Sequence, residues 1–214
     1  MLFRSRGTES GEDEQGVSVR EILPLLARAH AHVGNFEEAQ ALWTSALESL
    51  DPDAPGYPGV CRALALTDVW RGEHDQAMTH LAAGLTSARA SNDRAAIVRL
   101  LVAQSHALQE VGSGDEALAA LNEALPIAEE QGDPLLLARV HRGLALLHVW
   151  VGPPEQAVAH GHTAVQLAQQ VGDLSIEFWA RWGLAVLVGM RGDTRAMGQA
   201  IEEINAIEIG RAHV

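Results

Sequence analysis

Lysine is absent from this chain, and all fifteen of its basic side chains are arginine. A phosphate loop of the Gly-x-x-x-x-Gly-Lys type is therefore excluded, and Gly112-Ser113-Gly114 reads as an interhelical turn. Aromatic residues make up only 4% of the 214 positions, so the 47% hydrophobic content is mostly alanine and leucine, strong helix formers. An all-α fold is expected, and an all-β one is excluded. The single cysteine, Cys61, rules out an internal disulfide. Apolar runs fall well short of the ~20 residues needed to cross a membrane. Basic charge is also scarce: 28 acidic residues leave a formal net charge of −13, which disfavours contact with nucleic acid or anionic lipid. These absences predict a reducing, cytoplasmic setting.

The two ends carry a separate signal. Met1-Leu2-Phe3-Arg4-Ser5 can be encoded by a stretch whose reverse complement, read in another frame, gives the run that starts at Glu208 and ends at His213. Both termini thus resemble translated sequencing-adapter DNA, a kind of segment that is set aside in fold reasoning. The expectation is an internal fragment of a longer protein, with residues 1–16 non-native and irregular and residues 208–214 a C-terminal scar.

Between the ends the chain repeats. Glycines recur at Gly34, Gly72, Gly112, Gly152 and Gly192, the later ones at a step of about 40 residues. Seven residues before each stands a small residue: Ala27, Ala65, Ser105, Ala145 and Ala185. Leucine precedes it in four of the five copies, as Leu26, Leu64, Leu144 and Leu184. Five residues after the first four glycines come Ala39, Ala77, Ala117 and Ala157, and seven further on come Ala46, Gly84, Ala124 and Ala164. Small side chains at these spacings mark faces where two helices cross closely. Between repeats, Asn92-Asp93, Gly132-Asp133-Pro134 and Gly172-Asp173 place helix-ending residues before an N-capping aspartate. Each unit is predicted to be helix, turn, helix, with units at about 17–50, 58–90, 93–131, 133–171 and 173–207. The first helices (A) lie near 18–33, 58–71, 94–111, 134–151 and 174–191, and the second (B) near 36–50, 74–90, 114–131, 154–171 and 193–207.

Leucine, a small residue, glycine seven later and alanine five beyond, as in Leu144-Ala145, Gly152 and Ala157, resembles the tetratricopeptide repeat. The likeness covers about residues 17–207. It departs from the 34-residue form in its longer units and its missing consensus aromatics, with only Phe36 and Trp43 close and Gly161 where a large residue is usual. The long form is similar to repeats in the sensor regions of bacterial multidomain signalling ATPases and transcriptional regulators. The resemblance implies a right-handed superhelical solenoid of five repeats, with A helices lining a concave wall that binds extended peptides or helices.

Inward positions on the A helices are Arg28, Arg62, Arg99, His106, Gln109, Arg139, Arg142, Trp150, Trp179 and Trp182, and all but Arg28 give the candidate partner-binding groove. The acids concentrate on the B helices. Arginine forks grip carboxylates bidentately and tryptophan offers rigid contact area, so the sharp reading is an acidic or C-terminal-carboxylate peptide. The plainer reading pairs these arginines with acids of the adjacent repeat and packs the tryptophans between repeats.

Catalytic and metal chemistry find little support. His30 with His32, and His160 with His162, are two apart and point to different sides of a helix, while His141 and His148 are separated by two turns, ~10 Å. No metal or cofactor is predicted, and Cys61 is expected to be a buried structural thiol. The expected function is protein interaction or sensing within a larger regulator, not enzymatic within this segment. The alternatives are a module that senses a small molecule or peptide, and a free-standing adaptor. Exposed apolar surface around Trp179, Trp182, Leu187 and Ile201 in the last unit predicts end-to-end self-association.

Overall fold

A computed structural model describes residues 19–211. The stretch 1–16, expected to be adapter-like and irregular, and the last residues of the C-terminal stretch lie outside the described residues. Ten helices follow in order: α1 Val19–His32, α2 Phe36–Glu48, α3 Tyr57–Arg71, α4 His74–Ala90, α5 Arg94–Glu110, α6 Gly114–Gln131, α7 Pro134–Trp150, α8 Pro154–Val171, α9 Leu174–Met190 and α10 Thr194–Arg211. The predicted A and B helices match them closely. α10 differs most, continuing through Ile207 to Arg211 where the sequence reading ended the last repeat at 207.

The punctuation between units works as its chemistry requires. Asp93 accepts from the Ala96 amide at 2.9 Å, Asp133 from Leu135 at 2.8 Å, and Asp173 from Ile176 at 3.0 Å. Each satisfies a helix-start donor that has no partner within the helix. Gly132 and Gly172 end the preceding helices with φ of 63° and 73°, and Asn92 does the same at 55°. These are left-handed conformations that glycine and asparagine tolerate. Gly152 breaks the glycine pattern, since it is not among the positive-φ glycines. Pro153 follows it and confines the preceding residue to extended backbone. Gly152 is needed for space instead: a Cβ there would meet His148 Nδ1 at 2.1 Å.

Helices pack pairwise within units, and each unit packs on the next. A helices also reach the A helix of the next unit, α3 to α5, α5 to α7 and α7 to α9, while successive B helices make no comparable contact. The A side is therefore the inner, concave wall. The small residues sit where the helices cross: Ala39, Ala77, Ala117, Ala157, Ala124 and Ala164 are all buried. A Cβ on Gly84 would stand 2.9 Å from Cys61 Cβ and from Leu100 Cδ2, and one on Gly161 would stand 2.7 Å from Leu184 Cδ2. Leu184 thus fills the volume that a large residue would take at 161. The continuous core runs from α3 to α7, with Leu81, Leu100, Leu121, Leu136 and Leu144 closed to solvent, and Leu64 is closed to solvent in a second cluster with α1 and α2. Each contributes about 1.5–3 kcal/mol of apolar burial. Two expectations are corrected by burial. Leu26 is exposed rather than packed at a helix crossing, and Leu187, expected on the exposed end, is buried at 5% beside Val149 and Ala157.

Among the described residues the most deeply buried charged side chain is an aspartate. Asp68 on α3 is 0% exposed and ties three helices together, accepting from Gln40 Nε2 of α2 at 2.7 Å and bonding His80 Nδ1 of α4 at 2.7 Å. In the last unit Glu177 of α9 plays a comparable part, with Gln169 Nε2 of α8 at 2.8 Å and Arg181 Nε at 3.0 Å.

Candidate functional site: an arginine-lined cavity on the concave wall

Residues spread over more than a hundred positions converge on the A-helix wall. Arg62 from α3, Arg99 and His106 from α5, Arg139 and Arg142 from α7, and Trp179 from α9 line one cavity of about 530 Å³. A second cavity of about 790 Å³ adjoins it towards α1 and shares Arg62, Leu66, Trp70 and Arg139. Arg28 lines that second space. The remaining sequence candidates sit elsewhere. Gln109 turns back onto its own helix, donating to the Ser105 hydroxyl and carbonyl at 3.2 and 3.3 Å. Trp150 is 65% exposed and lines neither cavity. Trp182 stands one ring away, edge-on to Trp179 at 5.8 Å.

Trp70 was missed by the sequence reading. It lines both cavities although 64% exposed, stacks on Phe36 at 6.0 Å, and meets the His106 ring at 6.3 Å. Its signal was its place two residues before Gly72, equivalent to Trp150 before Gly152; one indole of the pair turns into the groove and the other does not.

The electrostatics are unusual for an acidic protein. Arg62, Arg99, Arg139 and Arg142 are half-buried, and among the described residues none forms an ion pair. The Nε atoms of Arg139 and Arg142 are buried with no hydrogen-bond partner. Burial, then the fields of Arg139 and Arg99, push the Arg62 guanidinium below its ordinary basicity. Burial and Arg139 do the same to Arg142, with Asp173 opposing. His106 is lowered by burial and by Arg142, against Glu110 at 3.6 Å. The two acids on the cavity wall have other engagements, Glu110 with His106 and Asp173 as the cap of α9. On the outer wall the acids of α2, α4, α6 and α8 are exposed. Arg89 pairs there with Glu123 at 2.6 Å, and Arg94 with Glu130. The plainer reading, in which adjacent acids neutralise the groove arginines, describes the outer wall and not the inner one.

Two other clusters complete the chemistry. Cys61 is fully buried, and burial pushes its thiol up to about 11, so it is no nucleophile at neutral pH. His141 and His148 of α7, separated along their own helix, are joined by His160 of α8. The Nδ1 atoms of His141 and His160 are 2.9 Å apart, and His148 stacks on His160 at 5.9 Å. Same-helix spacing could not reveal this trio. Among the described residues no group of three ligand-type side chains is arranged to hold a metal ion. No described helix is long and apolar enough to cross a membrane.

This architecture, an all-α solenoid of helix-turn-helix repeats, is shared with known structures. BtubC from P. vanneervenii superposes with a TM-score of 0.69 at 17% identity, over 92% of this chain and 83% of that one. A signal transduction ATPase with numerous domains from Pyrococcus horikoshii, which has a tetratricopeptide repeat sensor, gives 0.71 at 17% identity over 89% of this chain. This chain spans only 29% of that ATPase. A kinesin light chain protein from Podosopora anserina with nearly identical TPR-like repeats gives 0.55 at 18% identity, covering 92% and 99% of the two chains. At these identities the likeness establishes the fold, a TPR-like solenoid. No curated protein sequence matches the chain. The family model described as Anaphase-promoting complex subunit 5 matches residues 63–142 and 137–188. Together these matches exceed half of the chain, and the chain belongs to that family.

Proposed function

We propose that this chain is a protein-interaction and sensing repeat region, part of a larger signalling ATPase or transcriptional regulator, and that its concave wall is the binding surface. The observation that carries the reading is the set of four unpaired arginines facing one cavity inside an acidic shell. Half-buried like charges without ion-pair partners are costly in the free protein, and an anionic partner supplies what the fold withholds. Arg62, Arg99, His106, Arg139, Arg142 and Trp179 form its centre, Trp70 and Arg28 extend it towards α1, and Trp182 stands beside it. Gln109 and Trp150 have no part in it. The sensor role draws support from the tetratricopeptide sensor of the Pyrococcus ATPase. The setting is cytoplasmic, and the segment performs no catalysis of its own.

A ligand gripped by α3, α5 and α7 together would favour a tighter stacking of repeats two to four, shifting a conformational equilibrium that an attached output domain reads. The size of the cavity, about 530 Å³, also favours a second reading, a small-molecule or peptide sensor. A free-standing adaptor differs from both only in what flanks the repeats in the gene. Calorimetric titration of a glutamate-rich peptide, at low and at moderate salt, tests the groove. Binding that weakens with salt and is abolished in Arg139→Gln/Arg142→Gln supports it; no binding, or binding unaffected by that double variant, refutes it.

A further inference from the structure

We infer that the cavity between α3, α5 and α7 is built for a compact ligand of nucleotide size, which sets a phosphate or diphosphate group among Arg62, Arg99, Arg139 and Arg142 and lays a flat ring against Trp70 and Trp179. This rests on the reading of the concave wall as the binding surface and specifies what occupies its centre.

Charge density argues for phosphate. The four guanidiniums line a single space of about 530 Å³, and they are close enough for Arg139 and Arg99 to weaken the basicity of Arg62. An extended acidic peptide presents same-face carboxylates only about every 7 Å, each with one charge. A diphosphate concentrates several charges and many acceptor oxygens on two adjoining tetrahedra, and planar arginine forks match it bidentately. The buried, unpartnered Nε atoms of Arg139 and Arg142 are donors for which the fold provides no acceptor.

Size and walls argue for a small aromatic ligand. The volume falls in the ordinary range of small-molecule sites, about 300–1,000 Å³. Trp70 of α3 and Trp179 of α9 both line the cavity, and both are substantially exposed. An exposed indole that lines a cavity is a stacking platform for a heterocycle, and base stacking on aromatics is favourable and tolerant of ring identity.

The test is calorimetry on the full chain with ADP, pyrophosphate, adenosine and a glutamate-rich peptide. ADP is expected to bind, pyrophosphate about tenfold more weakly for lack of the ring, and adenosine not measurably. Arg139→Gln/Arg142→Gln should weaken ADP by about 100-fold or more, with Arg139→Lys/Arg142→Lys intermediate because charge is kept and the fork lost. Trp70→Ala should weaken ADP and leave pyrophosphate unchanged. Far-UV circular dichroism of each variant confirms folding, and the lysine pair keeps the test valid should the glutamine pair misfold. If ADP and pyrophosphate give no heat while the peptide binds and depends on the same arginines, this inference is overturned and the interaction reading stands. If nothing binds, both fall. ADP binding that is unchanged in the glutamine variant also overturns the inference.

Discussion

Replacing Asp68 with alanine removes a buried acceptor that joins α2, α3 and α4. The carboxylate is fully buried and takes two short hydrogen bonds, 2.7 Å each, from Gln40 and His80. Bonds to a charged group contribute about 1.5–3 kcal/mol each. Truncation leaves His80 Nδ1 without its partner and Gln40 with the half-buried Glu73 at 2.5 Å. The expected loss is about 3–5 kcal/mol from the two bonds together. At about 2–4 °C per kcal/mol for a chain of this size, the melting midpoint should fall by roughly 6–20 °C. Asp68→Asn keeps an acceptor for Gln40 and should lose less. Solenoid repeats couple mainly to their neighbours, so hydrogen exchange should rise in α1 to α4 before it rises in α7 to α10. Urea denaturation that shows Asp68→Ala within 1 kcal/mol of the parent would refute the argument that this clamp joins the first two units.

Other expected outcomes follow from single features. Burial lowers the affinity of His141, His148 and His160 for a proton in the folded state. The unfolded chain therefore takes up protons first, and stability should hold above pH 6.5, the ordinary histidine value, and fall as pH drops below it; a midpoint that rises on acidification contradicts this. Gly152→Ala drives a methyl into the His148 ring and should cost about 1–3 kcal/mol by overpacking, whereas a cost near zero in thermal melts would mean the turn yields freely. Cys61 should react with a disulfide reagent at pH 8 only as fast as the protein unfolds, given its burial and raised thiol. Trp182 and Ile201 leave apolar surface on the last unit at 37% and 42% exposure, and sedimentation should show dimers that dissociate on dilution and weaken in Ile201→Glu.

The helices were legible because their signals are local. Aspartate caps, glycine and asparagine stops, and small residues at helix crossings depend on a few neighbouring positions, and the repeat reinforces them across units. Gly152 escaped because the proline after it overrides the pattern, and Leu187 because its cover comes from α7 and α8. The groove was legible in part. Arg62, Arg99, Arg139 and Arg142 could be placed on one wall from helix phase, yet whether they were paired depended on acids from other helices, which periodicity does not reveal. Trp70 and Trp150 occupy equivalent positions and are about equally exposed, yet Trp70 meets Phe36 and His106 and lines the cavity while Trp150 does not. The His141–His148–His160 trio and the Asp68 clamp join adjacent helices, and no spacing within one helix encodes either.

The central claim is that the four concave arginines are kept for a ligand and not for the fold. Urea denaturation of the ligand-free chain and of Arg139→Gln/Arg142→Gln, at low and high salt, tests it most directly. Relief of like-charge repulsion predicts that the double variant is more stable by about 1–2 kcal/mol at low ionic strength, with the gap closing as salt screens it. A double variant that is less stable than the parent at every salt concentration would mean the arginines hold the repeats together, and the claim would fail.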